Sequence, residues 1–188
     1  MFPFSLCYSP LLNATAILTI LLTAVLSGPG LTVVNAGETD VMHGMTAVHN
    51  QIRSRLGIAP LRWSDTLAEY AQNRANRLAR NNCRLYHGPA GEYGENLYWA
   101  SSVQWSNGKK EVQTISARHV AESWEQEAAD YDHQAKRCRK SAVCGHYTQM
   151  IWRNSKEIGC GMAVCDDKGQ IWVCNYYPPG NFIGQSPY

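Results

Sequence analysis

The sequence predicts one α+β domain held by disulfides, and three observations predict it. Apolar residues recur at helical spacing in three separate stretches before residue 130. Short strand-like segments with turn signals occupy the last third. Six cysteines follow an N-terminal stretch that is apolar and free of Lys, Arg, Asp and Glu. A chain of 188 residues is long enough for one ordinary domain with a real core behind a short leader.

The leader is read from residues 1–36. They contain an apolar run from Ala16 to Leu26 and end on the small-residue segment Val34-Asn35-Ala36, so a signal peptide is expected over 1–36 and a single domain over 37–188. The run is shorter than the roughly 20 apolar residues of a membrane-spanning helix. No stable transmembrane span is therefore expected, and the expected location is extracellular. All 17 basic and 15 acidic residues follow the leader, and a formal charge of +2 excludes capture of nucleic acid by bulk charge.

Met45, Val48, Ile52 and Leu56 set a first helix from about Gly44 to Leu56, stopped by Gly57. Ser64 or Asp65 caps a second, running to about Asn81, with Leu67, Ala71, Ala75 and Leu78 on one face. Ile115, Val120, Trp124 and Ala128 mark a third from about Thr114 to Ala129. Asn96 to Trp99 and His146 to Trp152 read as strands, and 91–94 and 101–110 read as loops. Ile158 to Cys165 and Gln170 to Tyr177 form a hairpin around Asp166-Asp167-Lys168-Gly169.

Cys7 falls in the leader, which leaves Cys83, Cys138, Cys144, Cys160, Cys165 and Cys174, an even count suited to an oxidising compartment. The hairpin sets Cys160 nearly opposite Cys174, a candidate cross-strand bridge. Cys165 is an odd number of residues from Cys160, so it faces the other side of the sheet and needs a distant partner, for which Cys83 is the natural candidate. Cys138 and Cys144 would then close a short loop around Arg139 and Lys140. No CxxC pair supports a zinc cluster of cysteines.

Several segments carry a family resemblance. Trp63-Ser64-Asp65, His87 after Cys83, Gly94-Glu95-Asn96-Leu97, Trp124 with Glu127, Cys144 to Trp152 (CGHYTQMIW) and Cys174 to Asn181 (CNYYPPGN) together resemble the CAP superfamily of cysteine-rich secretory proteins, antigen five and pathogenesis-related proteins. The likeness runs from about Met45 to Tyr188. No cysteine follows Cys174, so no further cysteine-rich module is expected and the plant-type pathogenesis-related branch is the nearest match. The resemblance implies a three-layer α-β-α sandwich around a mostly antiparallel sheet. It also implies the pairing Cys83 to Cys165, Cys138 to Cys144 and Cys160 to Cys174.

The resemblance further implies a cleft lined by His87, Glu95, Glu127 and His146. Two imidazoles and two carboxylates could hold Zn²⁺ or another divalent ion, with His87 and His146 as ligands and Glu95 and Glu127 as ligands or supporting acceptors. Such a site would lose metal as the histidines protonate, at about pH 6 for ordinary imidazoles. The same four residues could equally form a closed hydrogen-bonded network with no metal and no substrate. A metal-dependent hydrolase would use Glu95 or Glu127 as general base, but no GxSxG or HExxH motif supports one, and Ser141 and Thr148 are candidate hydroxyls by sequence proximity alone. Asn96 is assigned to backbone hydrogen bonding ahead of orienting Glu95. Tyr147, Gln149 and Trp152 are assigned to the core, and His43, His49, His119 and His133 to the surface or a helix face.

Family members are also associated with sterols or other lipids through an aromatic loop after the third helix, where this chain has Trp124 and Tyr131, although Trp124 sits at core spacing. A plant-type tail would release a short signalling peptide before Pro178, against which stands a tail pinned by Cys174 and stiffened by prolines. The function expected is binding, of a sterol or other lipid or of an extracellular target protein, in defence or host interaction, with no cofactor beyond a possible divalent metal.

Overall fold

Residues 37–89 and 91–188 are described by a computed structural model, so the expected leader, with Cys7, lies outside the described residues. A four-stranded sheet is the middle layer. Its strands are β1 (Arg62–Trp63), β2 (Gly94–Ala100), β7 (Glu157–Val164) and β8 (Gln170–Tyr177), in the order β1-β7-β8-β2. Only the β1–β7 pairing is parallel. The β7–β8 register sets Cys160 directly across from Cys174. The chain also forms two small ladders, β3 (Val103–Gln104) with β4 (Lys110–Glu111) and β5 (Tyr131–Asp132) with β6 (Arg137–Cys138).

Helices cover both faces of the sheet. One face carries α1 (Met45–Arg55), α3 (Ala117–Glu125) and α4 (Gly145–Met150), and the other carries α2 (Asp65–Arg80). The layers explain the cysteine parity. Cys160 and Cys174 are buried in the larger core with Met45, Val120 and Ile151, whereas Cys83 and Cys165 are buried in the smaller core with Ala75 and Leu78 under α2. The bridges are Cys83–Cys165, Cys138–Cys144 and Cys160–Cys174, and an odd step along a strand does send the next cysteine to the opposite layer.

Local chemistry sets the elements. Ser64 caps α2, accepting from Leu67 N at 3.4 Å, and Ser116 caps α3, accepting from His119 N at 3.1 Å. The backbone of α2 lies directly against β7 because Gly159 and Gly161 bear no side chain; a Cβ at either would collide with the main chain of α2. Arg53 is fully buried without a carboxylate and satisfies its guanidinium on main-chain oxygens, among them Ala59 at 2.7 Å, Trp152 at 2.9 Å and Ser155 at 2.9 Å. Burial pushes its pKa down to about 10, and the contacts tie α1 to the end of α4.

Four expectations need correction. His146 to Trp152 is not a strand: residues 145–150 are α4, because Tyr147, Met150 and Ile151 bury at helical spacing and the helix start is capped from a distant segment. The third helix is α3 followed by a 3-10 turn at Gln126–Asp130, shorter than the expected Thr114 to Ala129. Strand pairing with β8 extends β2 back to Gly94, and the 101–110 loop contributes β3 and the first residue of β4. His49 is on a helix face but is not at the surface; it is completely buried.

Candidate functional site

Five segments meet at one cleft of about 800 Å³, lined by Tyr70 and Arg74 of α2, His87 of the loop after it, Asn96 of β2, Gly145 and His146 of α4, and Asn175 of β8. The two histidines each have a glutamate partner, and the two pairs are built differently.

His146 opens α4. Glu127, in the 3-10 turn after α3, accepts from the His146 main-chain N at 2.9 Å and the Tyr147 N at 3.2 Å with one oxygen, and from His146 Nδ1 at 2.6 Å with the other. One carboxylate therefore caps the helix and orients the imidazole. Because Nδ1 faces a carboxylate it carries the proton in the neutral ring, which leaves Nε2 with its lone pair. The Trp124 ring lies parallel to that imidazole, 6.0 Å between centroids, and its indole N–H donates to Leu97 O at 3.3 Å.

His87 lies on the loop after α2 with its side chain 62% exposed, and donates from Nδ1 to Glu95 Oε1 at 3.0 Å. Glu95, on β2, is nearly buried and is clamped from the other side by Arg74 Nε at 3.0 Å, while Gly88 N donates to Oε1 at 3.3 Å. Arg74 also donates to Tyr86 O and stacks over the Tyr86 ring at 4.8 Å. Burial works against ionising Glu95, but the hydrogen bond from His87 and the bond and charge of Arg74 outweigh it and hold the carboxyl below its ordinary range. The hydrogen bond to Glu95 raises His87 above the ordinary imidazole value, against the opposing effect of its partial burial.

A buried relay joins α1 to the site, and sequence reasoning missed it. His49 Nδ1 faces Met45 O at 2.8 Å and so must donate there, which leaves Nε2 to accept from Tyr176 OH at 2.8 Å. Asn96 donates to the Tyr176 oxygen and to His146 O, each at 3.1 Å. Asn96 thus serves backbone and not Glu95. Burial pushes His49 down to about 4 and pushes the Tyr176 hydroxyl well above the ordinary tyrosine value. The signal available in the sequence was the position of His49 among Met45, Val48 and Ile52 on the apolar face of α1.

Other expected residues fall elsewhere. Trp124 and Tyr131 are each 2% exposed and belong to the core, as do Tyr147, Gln149 and Trp152. The Thr148 hydroxyl is shared between Asn181 Oδ1 at 2.7 Å and Gly145 O at 3.1 Å, and Ser141 is an exposed loop residue with positive φ. The cleft lip has residues that sequence reasoning did not single out: exposed Tyr70 and Tyr86, and Tyr93, which meets Tyr70 edge to face at 4.9 Å and, beyond the cleft, Tyr177 at 6.1 Å.

The donor set limits what metal the site could hold. Among the described residues no three His, Cys, Asp or Glu side chains come together as a metal site. Glu95 and Glu127 each already accept three hydrogen bonds, and the ring nitrogens of the tetrad with no hydrogen-bond partner among the described residues are the Nε2 atoms of His87 and His146. Two imidazoles, each oriented by a carboxylate, match the outer arrangement of a zinc site but fall short of the three protein ligands usual for a catalytic one.

Residues 46–176 match the sequence profile of CAP, the cysteine-rich secretory protein family. The chain belongs to that family. Among CAP relatives it is 44% identical to pathogenesis-related protein 1C of Nicotiana tabacum over 140 residues, 74% of this chain and 76% of the relative. It is 40% identical to pathogenesis-related protein 1 of Arabidopsis thaliana over 159 residues, 85% of this chain and 89% of the relative. These relatives put it in the defence-related, pathogenesis-related part of the CAP family. Its fold is similar to venom allergen-like protein 4 of Schistosoma mansoni, with a TM-score of 0.59, 21% identity and coverage of 80% of this chain and 95% of the other. It is likewise similar to NaASP2, solved with Zn²⁺, with a TM-score of 0.60, 21% identity and coverage of 82% and 87%. No helix among the described residues is long and apolar enough to cross a membrane.

Proposed function

We propose that the protein is exported with residues 1–36 removed and acts outside the cell, in defence, by binding a target protein at the cleft. Both carboxylates accept from Arg74, the two imidazoles and main-chain amides, which ties them to the wall of the cleft. One observation carries this reading: the lip around them offers exposed Tyr70 and Tyr86 together with exposed Arg77, and tyrosine and arginine are the side chains on which protein interfaces most depend. A sterol or other lipid fits less well at Trp124 and Tyr131, since both rings are in the core.

A photo-crosslinking residue placed at Tyr86, with the same residue at Lys168 as a control, tests the reading in extracellular fluid of challenged host tissue. A discrete protein adduct from position 86 alone is expected, abolished by Tyr70→Ala. Equal adducts from both positions, or adducts only with lipid, would overturn it.

A second reading is a divalent metal held by His87 and His146 through Nε2. Two carboxylate-oriented imidazoles lining one cleft favour it, as does the Zn²⁺ in NaASP2. A bound ion would supply a Lewis-acidic centre with open positions. Stoichiometric Zn²⁺ uptake by calorimetry, lost in His87→Ala/His146→Ala, is expected, and uptake unchanged in that variant would refute this assignment. Only if chelation then abolished turnover of an ester or peptide would the metal-dependent hydrolase regain ground.

Release of a signalling peptide before Pro178 has less support. The segment after it is part of the fold: Ser155 Oγ donates to Pro178 O at 2.8 Å, Arg153 N to Pro187 O at 2.7 Å, and Gly180 and Asn181 line the cleft itself.

A further inference from the structure

The β5–β6 hairpin carries a concentration of charge that the cleft reading does not use. Lys136, Arg137, Arg139 and Lys140 are four cations in five consecutive positions, all exposed, and no acidic residue occurs from 133 to 143. In a chain whose net formal charge is only +2, this is a strong local excess. The loop is also held in shape. Arg137 and Cys138 pair with Asp132 and Tyr131, Cys138 is bridged to Cys144, and Arg139 N donates to Asp130 O at 2.8 Å.

The neighbouring carboxylate of Asp132 lies within the field of Arg137 and Arg139 but forms an ion pair with neither, so it offsets only part of the charge of the loop. Asp132 is opposite Arg137 in the ladder, but its Oδ1 accepts from the Gln134 and Ala135 amides at 3.0 and 2.9 Å. Lys136 is turned to Tyr188 O at 2.9 Å, and Arg139 anchors only its Nε, on Ala129 O at 3.2 Å. None of the ion pairs among the described residues includes Arg137, Arg139 or Lys140. Two guanidinium groups and an ammonium therefore project from a hairpin whose backbone is fixed by its ladder and by the Cys138–Cys144 bridge, and a pre-shaped backbone lowers the ordering cost of binding a polyanion.

We propose that this hairpin binds a linear anionic polysaccharide, with Arg137, Arg139 and Lys140 contacting its carboxylate or sulfate groups. Runs of basic residues of this length suit polyanions generally. The compartment narrows the choice. Three disulfides indicate an oxidising environment, whereas anionic lipid is concentrated in the cytoplasmic leaflet. The polysaccharide contact rests on the extracellular reading but not on the cleft, so the two can fail separately.

The test uses the protein expressed from its full chain with its disulfides formed. Its affinity for polygalacturonate, for dextran sulfate and for fully methyl-esterified polygalacturonate is measured as a function of salt, alongside phosphatidylserine vesicles and duplex DNA. Binding to at least one charged polysaccharide and not to the neutral one is expected, which also separates carboxylate from sulfate as the preferred group. Arg137→Gln/Lys140→Gln should weaken it about tenfold or more and flatten the slope of log affinity against log salt by roughly 1.5, the loss of two ionic contacts. Arg80→Gln/Lys168→Gln, which removes the same charge elsewhere on the exposed surface, should change affinity less than about twofold on the same reasoning, with both variants melting like the parent. Equal loss in the control variant, no binding to either charged polymer, or tighter binding to vesicles or DNA than to polysaccharide would each overturn the proposal.

Discussion

The two histidine–glutamate pairs use the same residue types for different structural purposes. Glu127 is a helix cap that happens to hold an imidazole, and His146 is fixed by α4, by the stacked Trp124 and by the relay through Asn96. Glu95 is half of a nearly buried ion pair with Arg74, and His87 is attached to it from an exposed loop. The first pair belongs to the scaffold. The second belongs to the cleft wall, and its histidine is largely exposed and part of neither core. A tetrad that looks symmetric in composition is asymmetric in mechanics.

The largest effect expected comes from Arg74→Met, which would strand the Glu95 carboxylate in a nearly buried position. Breaking such a pair from one side costs about 3 kcal/mol. Chemical denaturation should report that loss together with a rise in the Glu95 pKa by NMR; a variant as stable as the parent would mean that the ion pair is not what holds the His87 wall. Next, Glu127→Ala removes the acceptor for two amides at the start of α4 and should cost about 2 kcal/mol. Hydrogen exchange should locate the damage in residues 145–150 and leave the Arg74–Glu95 side protected. Damage spread evenly over both sides would erase the distinction between the pairs.

The smallest effect is a divergence with pH. His49 has its folded pKa depressed to about 4, so the unfolded chain takes up a proton first and stability falls as pH drops from the ordinary 6.5 towards 4. His87 has its folded pKa raised, so its contribution is complete below the ordinary value and is lost as pH rises through the raised one. Acidification should therefore loosen the His146 side through the His49–Tyr176–Asn96 relay while tightening the His87 side. Histidine-resolved NMR titration checks this, and matching midpoints for His49 and His87 would contradict it.

What the sequence by itself determined was whatever depends on near neighbours: the hairpin of β7 and β8 with Cys160 near Cys174, the opposite faces taken by Cys160 and Cys165, a cap at Ser64 or Asp65, and the existence of three principal helices, the third of them overextended. Strand alternation, turn chemistry and helical period all act within a few residues, so they can be read without coordinates. Only the tertiary structure decided that residues 145–150 are a helix, because the carboxylate that caps them arrives from 19 positions away. It decided equally that His49 is buried, through a tyrosine 127 residues along the chain, and that Asn96 serves the His146 backbone 50 residues away. Whether a carboxylate is free for chemistry or already saturated is a property of its hydrogen-bond partners, and here those partners come from remote segments. The four residues His87, Glu95, Glu127 and His146 were gathered only through the family resemblance of their motifs; how their oxygens and ring nitrogens are occupied depended on packing.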